Sequence, residues 1–255
     1  MEKHLVILMS GGLDSSIAYH YAQKECGICK DDIMCIWFDI GQPYAQKEKK
    51  SLDELGIPYI TMKLDLIRDE FDNIPTTEFP GQIIPGRNLI FATIAASFGK
   101  EIWLMALDSE THKYAKERDK SERFFEDTTE LLTYIFDISR KETDITSPFF
   151  AMTKVEVVEW ALKNGLSEDW LKKTSTCYDG EVRNCGKCST CFKRWVAMTV
   201  NGINEEYETN PWESEDAKEL INKYKKARED CDYSHYSKKR VDQSLLALDI
   251  RGIEY

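Results

Sequence analysis

The sequence predicts an α/β protein: a doubly wound, mostly parallel sheet with a C-terminal helical, cysteine-rich region. Three observations predict it. Short apolar runs of the kind that form buried parallel strands alternate with helical patterns along most of the chain. A loop rich in serine and glycine joins the first run to the first helix. Four of the eight cysteines crowd between Cys177 and Cys191, close to residue 175, where the alternation stops.

The elements follow in order. Leu5 to Met9 is a continuous apolar run and reads as the first strand. Ser10-Gly11-Gly12 breaks it, and Asp14 to Ala22 reads as a helix with apolar residues at 17, 18, 21 and 22. Ile33 to Phe38 is a second strand, Tyr44 to Leu55 a charged helix and Tyr59 to Leu64 a third strand. Asn88 to Phe98 is an apolar helix that Gly99 should end, and Ile102 to Leu107 a further buried strand. Helices are expected over Arg118 to Phe136 and over Thr153 to Asn164, the latter closed by Gly165. Another should leave the cysteine cluster over Phe192 to Val200, and Ser214 should cap one reaching Arg228. Three regions result: an α/β domain at 1–170, a four-cysteine region at 171–204 and a helical extension at 205–255.

A length of 255 residues suits one large domain or a domain with an appendage, at about 150 residues per domain. With 42% hydrophobic residues the composition is globular. No run approaches the ~20 apolar residues of a membrane span, and the N-terminal apolar run is too short for a signal peptide, so a cytoplasmic protein is expected. The net charge of −11 argues against a broad nucleic-acid-binding face, though not against a local basic pocket.

The first loop is a candidate phosphate site. In Leu8-Met9-Ser10-Gly11-Gly12-Leu13-Asp14-Ser15-Ser16, the glycines let backbone N–H groups turn toward an anion, and Ser10 and Ser15 add hydroxyl donors. The helix start contributes unpaired N–H groups and its positive dipole end. Asp14 would repel a phosphate unless it serves a metal such as Mg²⁺ or caps the helix. The alternative is a plain Gly-Gly turn with Ser and Asp as helix caps. The loop is neither G-x-x-x-x-G-K-[ST] nor G-x-G-x-x-G.

Cys177, Cys185, Cys188 and Cys191 are spaced C-x7-C-x2-C-x2-C. Four thiolates in one knuckle suit tetrahedral Zn²⁺, with an Fe–S cluster as the alternative. Gly186 would allow a tight turn, and Lys187, Lys193 and Arg194 could offset the cluster's charge. Cys26 and Cys29 also form C-x2-C, but at the end of a helix, where a redox pair is not expected.

Ser-Gly-Gly-x-Asp-Ser directly after the first strand resembles the signature of the PP-loop ATP pyrophosphatases. Within that superfamily the chain is similar to the 7-cyano-7-deazaguanine synthase (QueC) family at four further segments. These are Asp39-Ile40-Gly41-Gln42; Pro85-Gly86-Arg87-Asn88; Pro148 with Thr153-Lys154; and Thr176-Cys177-Tyr178 through Cys191 to Arg194. One segment departs. Where the family carries Asp-x-Ser-Gly-Tyr-Pro-Asp-Cys, this chain has Asp108-Ser109-Glu110-Thr111-His112-Lys113-Tyr114, so only Asp108 and Asp119 can be matched.

The resemblance implies a Rossmann-like fold of the adenine nucleotide α-hydrolase type. It implies an ATP- and Mg²⁺-dependent ligase with structural zinc, joining 7-carboxy-7-deazaguanine and ammonia into a nitrile, and a homodimer. It places residues 8–16 with Asp39 and Gln42 at ATP, and Arg87, Asn88, Asp108 and Asp119 at the small-molecule substrate. Asp14, Arg87 and Lys154 take the catalytic roles, and no membrane or direct nucleic-acid partner is implied. Rival readings are a PP-loop enzyme with another substrate, such as a tRNA thiolase, an amide-producing enzyme or a DNA- or protein-modifying relative, and a non-catalytic zinc-binding relative.

Overall fold

A computed structural model of the chain describes residues 3–64, 86–108, 110, 118–136, 142–179 and 183–255. Its centre is a five-stranded parallel sheet: β1 (Lys3–Met9), β2 (Ile33–Asp39), β3 (Ile60–Lys63), β4 (Gly99–Trp103) and β5 (Asp144–Thr146), in the order β3-β2-β1-β4-β5. The chain builds outward from β1 to β3, then crosses to the other side of β1 for β4. The direction therefore reverses between β1 and β4, and ligands of such sheets bind in the crevice at the carboxyl ends of the strands there. Ser10 leaves β1 at that point.

The period of two along β1 explains why helices cover both faces. Leu5, Ile7 and Met9 point into one core and Val6 and Leu8 into the other. The first core is filled by α1 (Leu13–Lys24), α2 (Ala45–Leu55), α5 (Lys154–Lys163) and α7 (Ser189–Val200), together with the later helices α8 (Glu215–Glu229) and α9 (Lys238–Ile250). The second core is filled from α3 (Arg87–Ala95) and α4 (Glu122–Phe136). Burying each of these aliphatic side chains contributes about 1.5–3 kcal/mol. α6 (Glu168–Lys173) joins α5 to the cysteine segment, and its Leu171 belongs to the first core.

Several boundaries differ from the sequence expectation; α7, for one, begins at Ser189 rather than Phe192. The apolar helix stops at Ala95, and Gly99, expected to end it, instead opens β4 opposite Lys3. The strand expected over 102–107 therefore starts earlier and pairs only to Trp103, because Lys100 and Glu101 join the ladder despite their polarity. Residues 118–120 form a 3₁₀ turn, and α4 begins only at Glu122. β5, α6 and α9 are additions to the expected elements. β5 has three residues with one buried side chain, α6 has six residues, and α9 lies in a stretch that reads as charged and tyrosine-rich. The capped helices match: Thr153 and Glu156 form a capping box on α5, Gly165 follows α5 at φ +84°, and Ser214 caps α8.

Candidate functional site

The loop after β1 is held by its own side chains and by two neighbours. The Ser15 hydroxyl accepts from the Ser10 N–H at 3.2 Å and lies 3.2 Å from the Ser10 hydroxyl. Gly11 has φ +66°, and a β-carbon there would stand 2.8 Å from the Glu48 carbonyl oxygen, so only glycine fits. Gly12 is the helix N-cap and has no side-chain cap, so Asp14 does not cap α1. The side chains of Leu8, Met9, Leu13 and Ser16 are buried, so what they can offer a ligand is main chain; the Ser10 side chain is exposed.

Asp14 instead meets Lys154. The ammonium donates to both carboxylate oxygens, at 2.6 and 2.5 Å, with both side chains mostly buried. Lys154 is the first residue of α5, where a cation opposes the helix dipole, and the Asp14 carboxylate offsets that cost. The sequence shows both residues but not that they touch, because they stand 140 positions apart.

At the end of β2, Asp39 accepts from the Gly41 N–H at 3.2 Å. The Gln42 amide braces the loop from within: its oxygen accepts from the Ile40 N–H at 2.8 Å, and its nitrogen donates to Glu48 Oε2 at 2.8 Å and to the Phe38 carbonyl at 3.3 Å. Glu48, which sequence reasoning missed, is thereby a central group. It also accepts from Trp37 Nε1 at 2.9 Å. Burial pushes its carboxyl up to about 7, against the lowering effect of the bonds from Trp37 and Gln42 and of the nearby Arg87 and Lys47. In sequence Glu48 is one acid among several in a charged helix, and nothing local singles it out.

Arg87, at the start of α3, lies 6.0 Å from the Phe91 ring, which stacks on Phe38 of β2 at 4.2 Å. It also bonds the Tyr44 hydroxyl, which burial pushes up to about 12. Asn88 is buried and donates to the Asp119 carbonyl at 3.3 Å, so these two expected substrate residues do come together. The Asp108 N–H donates to the Met152 carbonyl just before α5. Pro85, Ser109 and residues 111–117 lie outside the described residues.

Beside Lys154 a small open cleft of about 50 Å³ is lined by Glu110, Phe192 and Lys193 and by Tyr224 and Arg240 of α8 and α9. Burial pushes the Glu110 carboxyl up, but Lys120 at 3.2 Å, with Lys193 and Lys154, outweighs it and holds the group at about 2. Lys193 therefore acts on Glu110, whereas its sequence position suggests the cysteine cluster. Arg194 is fully buried and its guanidinium is bidentate to Glu205, at 2.8 and 2.6 Å, although Cys191 is close enough to add to its positive charge's stability.

The four cysteines converge. Their sulfurs all lie within 4.8 Å of one another, and those of Cys185 and Cys191 are 3.9 Å apart. Tetrahedral zinc with bonds of about 2.3 Å needs sulfurs about 3.8 Å apart, so this set suits such an ion. Backbone N–H groups of Asp179 and Cys185 point at the Cys177 sulfur and that of Lys187 at the Cys185 sulfur, which helps to stabilise thiolates. Gly186 has φ +73°, and a β-carbon there would overlap the Thr209 carbonyl oxygen at 1.8 Å. Cys26 and Cys29 are both exposed and apart from this set.

A family model described as "Queuosine biosynthesis protein QueC" matches residues 4–202. The chain belongs to the QueC family. Curated relatives named 7-cyano-7-deazaguanine synthase include one from Persephonella marina, 28% identical over 228 residues, which covers 82% of this chain and 95% of the relative. One from Thermoplasma acidophilum is 28% identical over 231 residues, covering 82% and 94%. One from Sulfolobus acidocaldarius is 26% identical over 235 residues, covering 81% of this chain and 48% of that longer protein. The QueC match spans the loop at 10–15, Asp14, Lys154 and all four cysteines. It ends before α8 and α9, so the Tyr224–Arg240 wall of the cleft lies outside it. Among the described residues, no helix is long and apolar enough to cross a membrane.

Proposed function

We propose that this chain is an ATP-dependent ligase of the 7-cyano-7-deazaguanine synthase type, acting on 7-carboxy-7-deazaguanine and ammonia. The observation that carries the reading is the Ser10–Ser15 loop at the β1/β4 switch point, with Asp14 and Lys154 paired at its mouth, inside a QueC match. A carboxylate resists amines because its leaving group would be oxide. Transfer of AMP from ATP to that oxygen releases pyrophosphate and makes AMP the leaving group. Ammonia displaces it to give the amide. A second adenylation, now of the amide oxygen, and loss of AMP and a proton give the nitrile.

The chain's residues serve this in three ways. N–H groups at the start of α1 and the Ser10 and Ser15 hydroxyls hold the phosphates. Lys154 and Arg87 stabilise charge on the phosphate chain and on the adenylated oxygen, and Asp14 keeps Lys154 aimed at the loop. Asp39, Asn88, Asp108 and Asp119 line the nucleotide and substrate side. Mg²⁺, with Asp14 as its protein ligand, would neutralise phosphate charge. Zinc on Cys177, Cys185, Cys188 and Cys191 is structural in this reading, because four thiolates leave no position for water. Residues 1–170, 171–204 and 205–255 then act as nucleotide domain, zinc region and helical extension of a cytoplasmic homodimer with no nucleic-acid or membrane partner.

Mass spectrometry of a reaction with 7-carboxy-7-deazaguanine, ATP, Mg²⁺ and ammonium tests the proposal. Nitrile with AMP and pyrophosphate, abolished by Asp14→Ala, is the expected result. Accumulation of the amide alone would move the reading to an amide-producing enzyme, which the altered 108–124 segment favours as the second choice. AMP formed only with another acceptor would overturn the substrate, and no AMP with any acceptor would overturn the ligase.

A further inference from the structure

The cysteine knuckle and the phosphate loop are tied together by the short segment that leads into Cys177. Residues 174–176 run along the loop. The Ser175 N–H donates to the Gly11 carbonyl at 2.8 Å, and the Ser51 hydroxyl lies 2.9 Å from that same carbonyl and 2.7 Å from the carbonyl of Lys173. A β-carbon on Gly12 would touch the Ser175 carbonyl oxygen at 3.4 Å and the Thr176 methyl at 3.9 Å, so the segment lies flat against the loop.

The other end is anchored by α7. Cys188 stands at the N-cap position of this helix, Cys191 is its third residue, and Arg194 follows one turn on. The Arg194 Nη1 donates to the hydroxyls of Thr174 at 2.7 Å and Thr176 at 3.0 Å, and Nη2 to the Leu171 carbonyl at 3.1 Å. Glu205, itself bonded by the Tyr207 hydroxyl at 2.7 Å, holds the far edge of the guanidinium. Desolvating a fully buried guanidinium is costly, which makes it a poor choice for stability alone. Spread over this set of partners, it specifies one geometry for the segment.

We propose that residues 174–176 form a strap through which the knuckle sets the shape of the phosphate loop, with Arg194 as its positioning residue. The strap is continuous with Cys177, the first of the four cysteines, so it is pinned on one side by the metal site and on the other by Gly11. Losing the metal, or the Arg194 bonds to the two threonines, frees the strap and loosens the loop. The consequence for the nucleotide rests on the reading of the loop as an ATP site; the coupling itself does not.

Hydrogen exchange read by mass spectrometry on the full chain tests it. The zinc-loaded protein is compared with the same protein after chelation and with zinc-loaded Thr174→Val/Thr176→Val, which keeps both side-chain shapes. Faster exchange over residues 10–16 in both comparisons is expected. With it, the double variant should bind ATP at least fivefold more weakly by calorimetry at unchanged zinc content. Exchange that rises only over 177–191 on chelation, and a variant that matches the parent over 10–16, would overturn the strap. Should the double variant fail to fold, Thr176→Val and Ser51→Ala are read in the same way. A parent protein that binds no ATP would refute the nucleotide reading, and the exchange comparison would still decide the coupling.

Discussion

Glu48→Gln isolates one buried ionisation beside the Ser10–Ser15 loop. The Glu48 carboxyl is held at about 7 in the fold, against an ordinary value of 4.5 in the unfolded chain. The folded protein therefore binds this proton more tightly. The favourable contribution is fully present below pH 4.5, declines as pH rises from 4.5 to 7, and is gone above 7. At about 1.4 kcal/mol per pKa unit, the wild type loses about 2–3 kcal/mol between pH 5 and pH 8 through this group. Glutamine cannot ionise but keeps an oxygen to accept from Trp37 Nε1 and Gln42 Nε2. Urea unfolding of both proteins at several pH values between 5 and 8 measures the difference. The variant should gain on the wild type as pH rises, by about 2–3 kcal/mol in total. Parallel stability profiles would refute the argument and mean that water or Arg87 already compensates the charge.

Two more outcomes follow from the geometry. Gly186→Ala forces a left-handed residue, at about 1–2 kcal/mol, before its β-carbon meets the Thr209 carbonyl oxygen at 1.8 Å. The knuckle must open, so metal content by mass spectrometry should fall well below one ion per chain and Tm should drop by more than about 5 °C. Full zinc content with an unchanged Tm would mean that the 185–188 turn is placed differently. Lys154→Met removes the partner of Asp14 and a cation facing the loop, so pyrophosphate release should slow by about 10²-fold or more, with Lys154→Arg recovering part of the rate. Normal kcat with a raised KM in Lys154→Met would reduce Lys154 to a binding role.

Several of these features could be read directly from the sequence, each for a local reason. The Leu5–Met9 run, the Gly-Gly break and the helix after it are set by side-chain polarity and backbone freedom within a dozen residues. The cysteine cluster is set by spacing, since two C-x2-C steps already bring Cys185, Cys188 and Cys191 together. The Thr153 and Ser214 caps need only a hydroxyl before a helical run. Where local reasoning erred, pairing overrode polarity: Gly99 joins β4 because β1 offers a free ladder edge, not because its own residues favour a strand.

The long-range contacts, and the environments they create, come from the packing of elements distant in sequence. Lys154 reaches Asp14 across 140 positions because α5 and α1 pack on the same face of the sheet. Arg194, placed by its sequence beside the thiolates, is turned to Glu205 and the threonines of the strap. Glu48 reads as one more surface acid until α2 lays it under Trp37 and Gln42, where the loss of water shifts its proton. Composition and spacing carry the elements and the four-cysteine cluster because those depend on neighbours in the chain. Charge pairing and proton affinity depend on which groups share a dry interior, and the topology chooses them.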